Sequence, residues 1–197
     1  MKRLKHSTSI IKIFISIGII AGIITSYLLY SATHRFKSNI IVKIDNNDIN
    51  ISRDFTLIDQ NGKKFKSNYL NNHLSLIYFG VTYSLTDYNY MRQLSEIIKI
   101  LQKEHIIVRL VFITLDPEHD NSEVLKKYLE KFNSDFIGLT GSVEDIQDVA
   151  HKFEVFYRQK QFDEENHSYR LEHSAFVYLI NSTGKFLKYY CLGLPKD

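Results

Sequence analysis

An α/β domain built on a mostly parallel sheet, behind a single N-terminal transmembrane helix, is the fold class this sequence predicts. Three observations carry that expectation. The run 13–32 contains no charged residue. Beyond it, short apolar runs alternate with longer stretches whose apolar residues recur three and four apart, as strands alternating with helices do. The alternation is closed at either end by two short β-type segments around a turn, at Asp59-Gln60-Asn61-Gly62 and at Asn181-Ser182-Thr183-Gly184.

The apolar run comes first. At about 1.5 Å per residue, a helix over it reaches about 30 Å, the thickness of the hydrocarbon layer of a bilayer. Lys2, Arg3, Lys5 and Lys12 precede it, whereas Arg35 and Lys37 follow it, and positive charge stays on the cytoplasmic side. The expected arrangement is a basic cytoplasmic tail at 1–12, a single-pass anchor in the inner or plasma membrane at 13–32, a tether at 33–52 and a domain on the outer side at 53–197. A cleaved signal peptide is the competing reading, but its apolar core is usually about 7–15 residues long, and Tyr30-Ser31-Ala32 is a poor cleavage site.

Within the domain, 55–58 and 63–65 flank the first turn and predict a hairpin. Residues 74–79 are apolar except for Ser75 and end on Gly80, which predicts a buried strand. Met91, Leu94, Ile98 and Leu101 predict a helix over 88–104, with Asp87 capping its first amides. The stretch 106–115 reads as the next interior strand. Ser122 is the expected cap of a second helix with the apolar face Leu125, Tyr128, Leu129 and Phe132, and 136–139 follows as a short strand. Ser142 and Asp145 make a capping box for a third helix that ends near Phe153. The polar, charged stretch 158–170 predicts a loop, and 175–180 with 185–190 form the closing hairpin.

Composition bounds the function. About 160 residues beyond the apolar run suit one domain. With 25 basic and 22 acidic residues the net charge is only +3, much of the excess lies beside the apolar run, and no nucleic-acid partner is expected. The one cysteine, Cys191, cannot form an intramolecular disulfide, so no enzyme activity of dithiol type is expected. Its plain reading is a small side chain packed in the last strand. There is no Gly-rich phosphate loop and no paired metal-ligand spacing.

Five blocks, in order, carry a resemblance: Asp54-Phe55-Thr56-Leu57-Ile58-Asp59 with Gly62, Ile77-Tyr78-Phe79-Gly80-Val81-Thr82, Phe112-Ile113-Thr114-Leu115-Asp116-Pro117-Glu118-His119-Asp120, Ile137-Gly138-Leu139-Thr140-Gly141-Ser142, and His173-Ser174-Ala175-Phe176-Val177-Tyr178-Leu179-Ile180. They resemble the Sco (SenC-type) family, the membrane-anchored proteins of thioredoxin-like fold that help assemble the copper centre of cytochrome c oxidase. The resemblance implies copper as the ion handled, and a respiratory oxidase subunit or another assembly factor as partner. It also implies a closing C-terminal helix, for which no segment follows 185–190, so an apolar sheet face is expected to be exposed.

The family places two cysteines, four apart, after the strand and its glycine, and a histidine before the penultimate strand. Here those positions are Ser84, Tyr88 and His173. Copper(I) prefers soft thiolates, which a hydroxyl and a protonated phenol do not replace. His173 is therefore the one matched metal ligand, and it reads equally as a hydrogen-bonded structural residue. His167, six residues earlier, is the only candidate for a second imidazole. Asp116, Glu118 and Asp120 read as turn and helix-capping acids rather than an acid–base pair, and Tyr83, Tyr88 and Tyr90 read as packing or as a contact surface. The expected function is a membrane-anchored accessory protein related to copper delivery with a degenerate metal site. The alternative is a binding or scaffold module with no metal or redox activity. A peroxidase or reductase of this fold would need an attacking thiolate.

Overall fold

The computed structural model describes residues 18, 22–26, 54–163 and 168–192. Among the described residues, nine strands and three longer helices follow in the order β1 (Thr56–Asp59), β2 (Lys64–Lys66), β3 (Leu74–Gly80), α1 (Leu85–Lys103), β4 (Val108–Thr114), α2 (Ser122–Leu129), β5 (Ile137–Thr140), α3 (Val143–Lys152), β6 (Tyr157–Asp163), β7 (Ser168–His173), β8 (Phe176–Ile180) and β9 (Phe186–Cys191). Seven strands form one sheet in the order β2-β1-β5-β4-β3-β8-β9. Only β5-β4 and β4-β3 run parallel, and every other neighbour is antiparallel. The sheet is therefore mixed rather than mostly parallel. Helical crossovers make the parallel centre, while β1 and β8 each enter antiparallel to the strand beside them.

Strands of the centre are apolar on both faces because helices cover both. Leu76 and Tyr78 of β3, Leu110 and Phe112 of β4, and Val177 and Leu179 of β8 face a cluster made with α1 and α2. The alternate residues Ile77, Phe79, Val111, Ile113, Tyr178 and Ile180 face a second cluster made with α3 and the first hairpin. Side chains of β3 from Leu76 to Phe79 are at most 2% exposed.

Several local expectations change. Helix α2 is capped by Asn121, whose side chain accepts from the Val124 amide, while the Ser122 hydroxyl donates to the Asp59 carbonyl at 2.8 Å. Within the polar stretch 158–170, residues 158–163 and 168–170 are not loop but strand, in the ribbon β6–β7, which is antiparallel and separate from the main sheet. The ribbon meets the core through Leu171 and Tyr157, but most of its other residues are polar, so its strands carry no clear apolar pattern. Its Arg158 meets Glu172 across the ribbon at 2.9 Å.

The face at β9 is not bare. Tyr190 and Leu192 are only 4% and 3% exposed, and they share their cluster with Ile24 of the helical residues 22–26. No helix among the described residues is long and apolar enough to cross a membrane. The rest of the expected anchor, the tail and the tether lie outside the described residues.

Candidate functional site

The site lies where β3 ends and the loop 81–84 turns into α1. Ser84 has extended backbone (φ −82°, ψ 122°), and its hydroxyl accepts from the Asp87 amide at 3.2 Å, which starts the helix three residues earlier than the apolar spacing alone indicates. Asp87 is thus not the cap. Its side chain turns inward and is 1% exposed.

Three groups converge on that carboxylate. The Tyr78 hydroxyl donates to Oδ1 at 2.5 Å, the Val81 amide donates to Oδ2 at 3.0 Å, and Nε2 of His173 lies 3.1 Å from both oxygens. The approach depends on Gly80, where a Cβ would meet Tyr78 Cε1 at 3.0 Å and Asp87 Cγ at 3.2 Å. His173 closes β7, opposite Tyr157 of β6, and its ring meets the Tyr78 ring edge-on at 6.4 Å.

The other nitrogen of His173, Nδ1, faces the Ser174 carbonyl at 3.3 Å, a group that only accepts. A carbonyl faces one nitrogen and a carboxylate the other, surroundings that favour the doubly protonated ring. Burial opposes that charge most strongly, but the hydrogen bond and attraction of Asp87 outweigh it, and the pKa of His173 is raised. Burial, reinforced by Asp87, pushes the Tyr78 hydroxyl well up, so it remains a neutral donor.

A second carboxylate holds the loop from the β4 side. Asp120, 1% exposed, accepts from the Thr82 amide at 3.0 Å, the Thr82 hydroxyl at 2.5 Å and the Thr114 hydroxyl at 2.8 Å. Its partners are neutral, and burial raises its pKa although these hydrogen bonds pull the other way. Asp116 accepts from the Tyr83 hydroxyl at 2.9 Å and faces His119 at 3.1 Å. These acids therefore brace the loop after β3 and do not cap α2.

A family model described as SCO1/SenC matches residues 44–195. The chain belongs to the Sco family. It is 57% identical to an SCO2-like protein of Rickettsia felis and 55% identical to one of Rickettsia bellii, each over 197 residues and at least 99% of both chains. Among solved structures it is similar to Arabidopsis thaliana ScoI with copper bound, at 32% identity and a TM-score of 0.66 over 70% of this chain and 86% of that one. It is also similar to yeast Sco1 with copper bound, at 29% identity and a TM-score of 0.64 over 73% and 80%. The fold is thus the Sco-type thioredoxin-like α/β fold, with a mixed sheet.

The Sco frame places the sequence's candidate ligands plainly. His173 does arrive beside the loop that ends on Ser84 and the first turn of α1, which carries Tyr88. The Ser84 hydroxyl is engaged in capping α1, and the Tyr88 ring packs on Phe132 with centroids 5.0 Å apart. Cys191 lies half-buried on β9, where burial pushes its thiol up and away from the thiolate form. His167 lies outside the described residues, and among the described residues no three His, Cys, Asp or Glu are grouped to hold a metal. A hard Ser84 hydroxyl that already caps a helix, a hard Tyr88 phenol whose ring packs on Phe132, and an imidazole faced by acceptors at both nitrogens do not fit copper(I). Tyr83 is 47% exposed, whereas Tyr88 and Tyr90 pack against the α1–α2 cluster, so the three do not form one surface.

Asp87 is the residue that sequence reasoning misassigned. The signal was present. A serine three residues before an aspartate already supplies the cap, as at Ser142 and Asp145, and leaves the aspartate side chain free for another partner.

Proposed function

We propose that this chain is a membrane-anchored Sco-type accessory protein of respiratory oxidase assembly that has given up thiolate copper(I) binding and dithiol chemistry, and acts by binding a partner. The single observation behind this reading is the state of the family's ligand positions: Ser84 caps a helix, Tyr88 packs on Phe132, and His173 is paired with Asp87. That pairing favours the metal-free scaffold over a form that still carries the ion. The anchor at 13–32, with the domain on the outer side, rests on the uncharged run and the basic residues before it, and its entry into a bilayer would take Ile24 out of the cluster it shares with Tyr190 and Leu192.

The decisive experiment is copper(I) titration of the full chain in detergent against a competing chelator. Binding should be weak and unchanged by Cys191→Ala, with no reductase or peroxidase turnover. A tight one-to-one complex would overturn the reading. For the topology, a reporter active only outside the cytoplasm should work when fused after Asp197, and a fusion active only inside would reverse the orientation.

A further inference from the structure

We propose that Asp87 itself closes the ancestral metal position, its carboxylate standing where an ion would meet His173, so that losing the thiolates is only half of why this chain does not hold copper. The inference builds on the reading of the domain as a thiolate-free Sco relative. Its ground is the direction of each nitrogen. A histidine that donates Nδ1–H to a carbonyl is fixed in the tautomer that presents Nε2 outward as a ligand, and the Ser174 carbonyl makes that bond here. The space in front of Nε2 is taken by both oxygens of Asp87, each at 3.1 Å.

The carboxylate is held there by more than the imidazole. Tyr78 and the Val81 amide fix it from two further directions, and Gly80 leaves room for it. It joins β3, the start of α1 and the end of β7 in one buried cluster, with the His173 side chain 7% exposed. The chain thus ties its loop to its histidine without an ion or a disulfide, and Nε2 is unavailable to a metal even when thiols are supplied.

The test restores the thiols and then removes the carboxylate, in the full chain in detergent, with chelator-buffered copper(I) as the probe. Ser84→Cys with Tyr88→Cys should bind copper(I) through the two sulfurs alone, and adding His173→Ala should leave that affinity unchanged. Adding Asp87→Ala instead should tighten binding by about tenfold or more, the scale on which the partner of a ligand shifts metal affinity. In that background His173→Ala should remove the gain. Asp87→Asn keeps the shape and answers the same question if the alanine variant does not fold, with a smaller gain. The proposal is overturned if neither change at Asp87 tightens binding, or if the dithiol parent already depends on His173. Tight copper(I) binding by the unaltered chain is a separate result that sinks the functional reading.

Discussion

Two helices of this domain begin with the same four-residue pattern and use it differently. At Ser142-Val143-Glu144-Asp145 the serine accepts from the Asp145 amide at 3.0 Å, and the exposed Asp145 carboxylate reaches back to the Ser142 amide at 3.3 Å, completing a capping box. At Ser84-Leu85-Thr86-Asp87 the serine makes its half of the box, while the aspartate leaves the other half unmade and goes inside. The local pattern is thus sufficient for the helix start and silent about the acid. What decides the acid's place is three-dimensional: Gly80 clears its path, and an imidazole, a phenol and an amide wait for it. An exposed acid at a helix start contributes a few tenths to about 1 kcal/mol, whereas one partner of a buried ion pair is worth several.

Removing Asp87 should therefore have the largest effect. Asp87→Ala leaves a buried imidazole, the Tyr78 hydroxyl and the Val81 amide without an acceptor, and should cost about 3–5 kcal/mol in urea denaturation followed by circular dichroism. His173→Leu alone strands the carboxylate instead. The double change should cost less than the sum of the two, with a coupling of about 0.5–3 kcal/mol. Strict additivity would mean that the two side chains only happen to be neighbours.

Next in size is the pH dependence. The folded pKa of His173 is raised above its ordinary value of about 6.5. A group raised in this way binds its proton more tightly when folded, so its contribution is complete below about pH 6.5 and is lost as pH rises through the folded value. The melting temperature should fall over that interval. His173→Gln should flatten the profile there, and an unchanged slope would show that another group titrates.

The layered core was legible because periodicity reports burial directly. The near-continuous apolar runs along 74–80 and 108–114 mark strands covered on both faces, and the apolar stripe from Met91 to Leu101 marks the helix that covers one of them. Ser84, Tyr88 and His173 were legible through family resemblance alone, since nothing local marks a position where a cysteine is missing. The ribbon β6–β7 was hidden because it meets the core through few residues, Tyr157 and Leu171 among them, and the rest are mostly polar. Asp87 was hidden because its three partners come from Tyr78, Val81 and His173, the last of them 86 residues away, and no spacing rule links an acid to a histidine so distant.

The smallest effect completes the comparison, at the box whose acid stays outside. Ser142→Ala removes the acceptor for the Asp145 amide and should cost about 1 kcal/mol, the usual value for a helix cap. Asp145→Ala removes only a longer bond to the Ser142 amide, in a place where water can take over, together with a screened interaction with the helix dipole, and should cost about 0.5 kcal/mol. The order of the two residues should therefore invert between the helix starts. At α3 the serine outweighs the aspartate, whereas at α1 Ser84→Ala should again cost about 1 kcal/mol and fall well below Asp87→Ala. The four single variants, measured by urea denaturation under one condition, are enough to decide it. If Asp145→Ala proved as damaging as Asp87→Ala, burial and the His173 pair would not be what separates the two sites, and the contrast would have to be sought in the helices themselves.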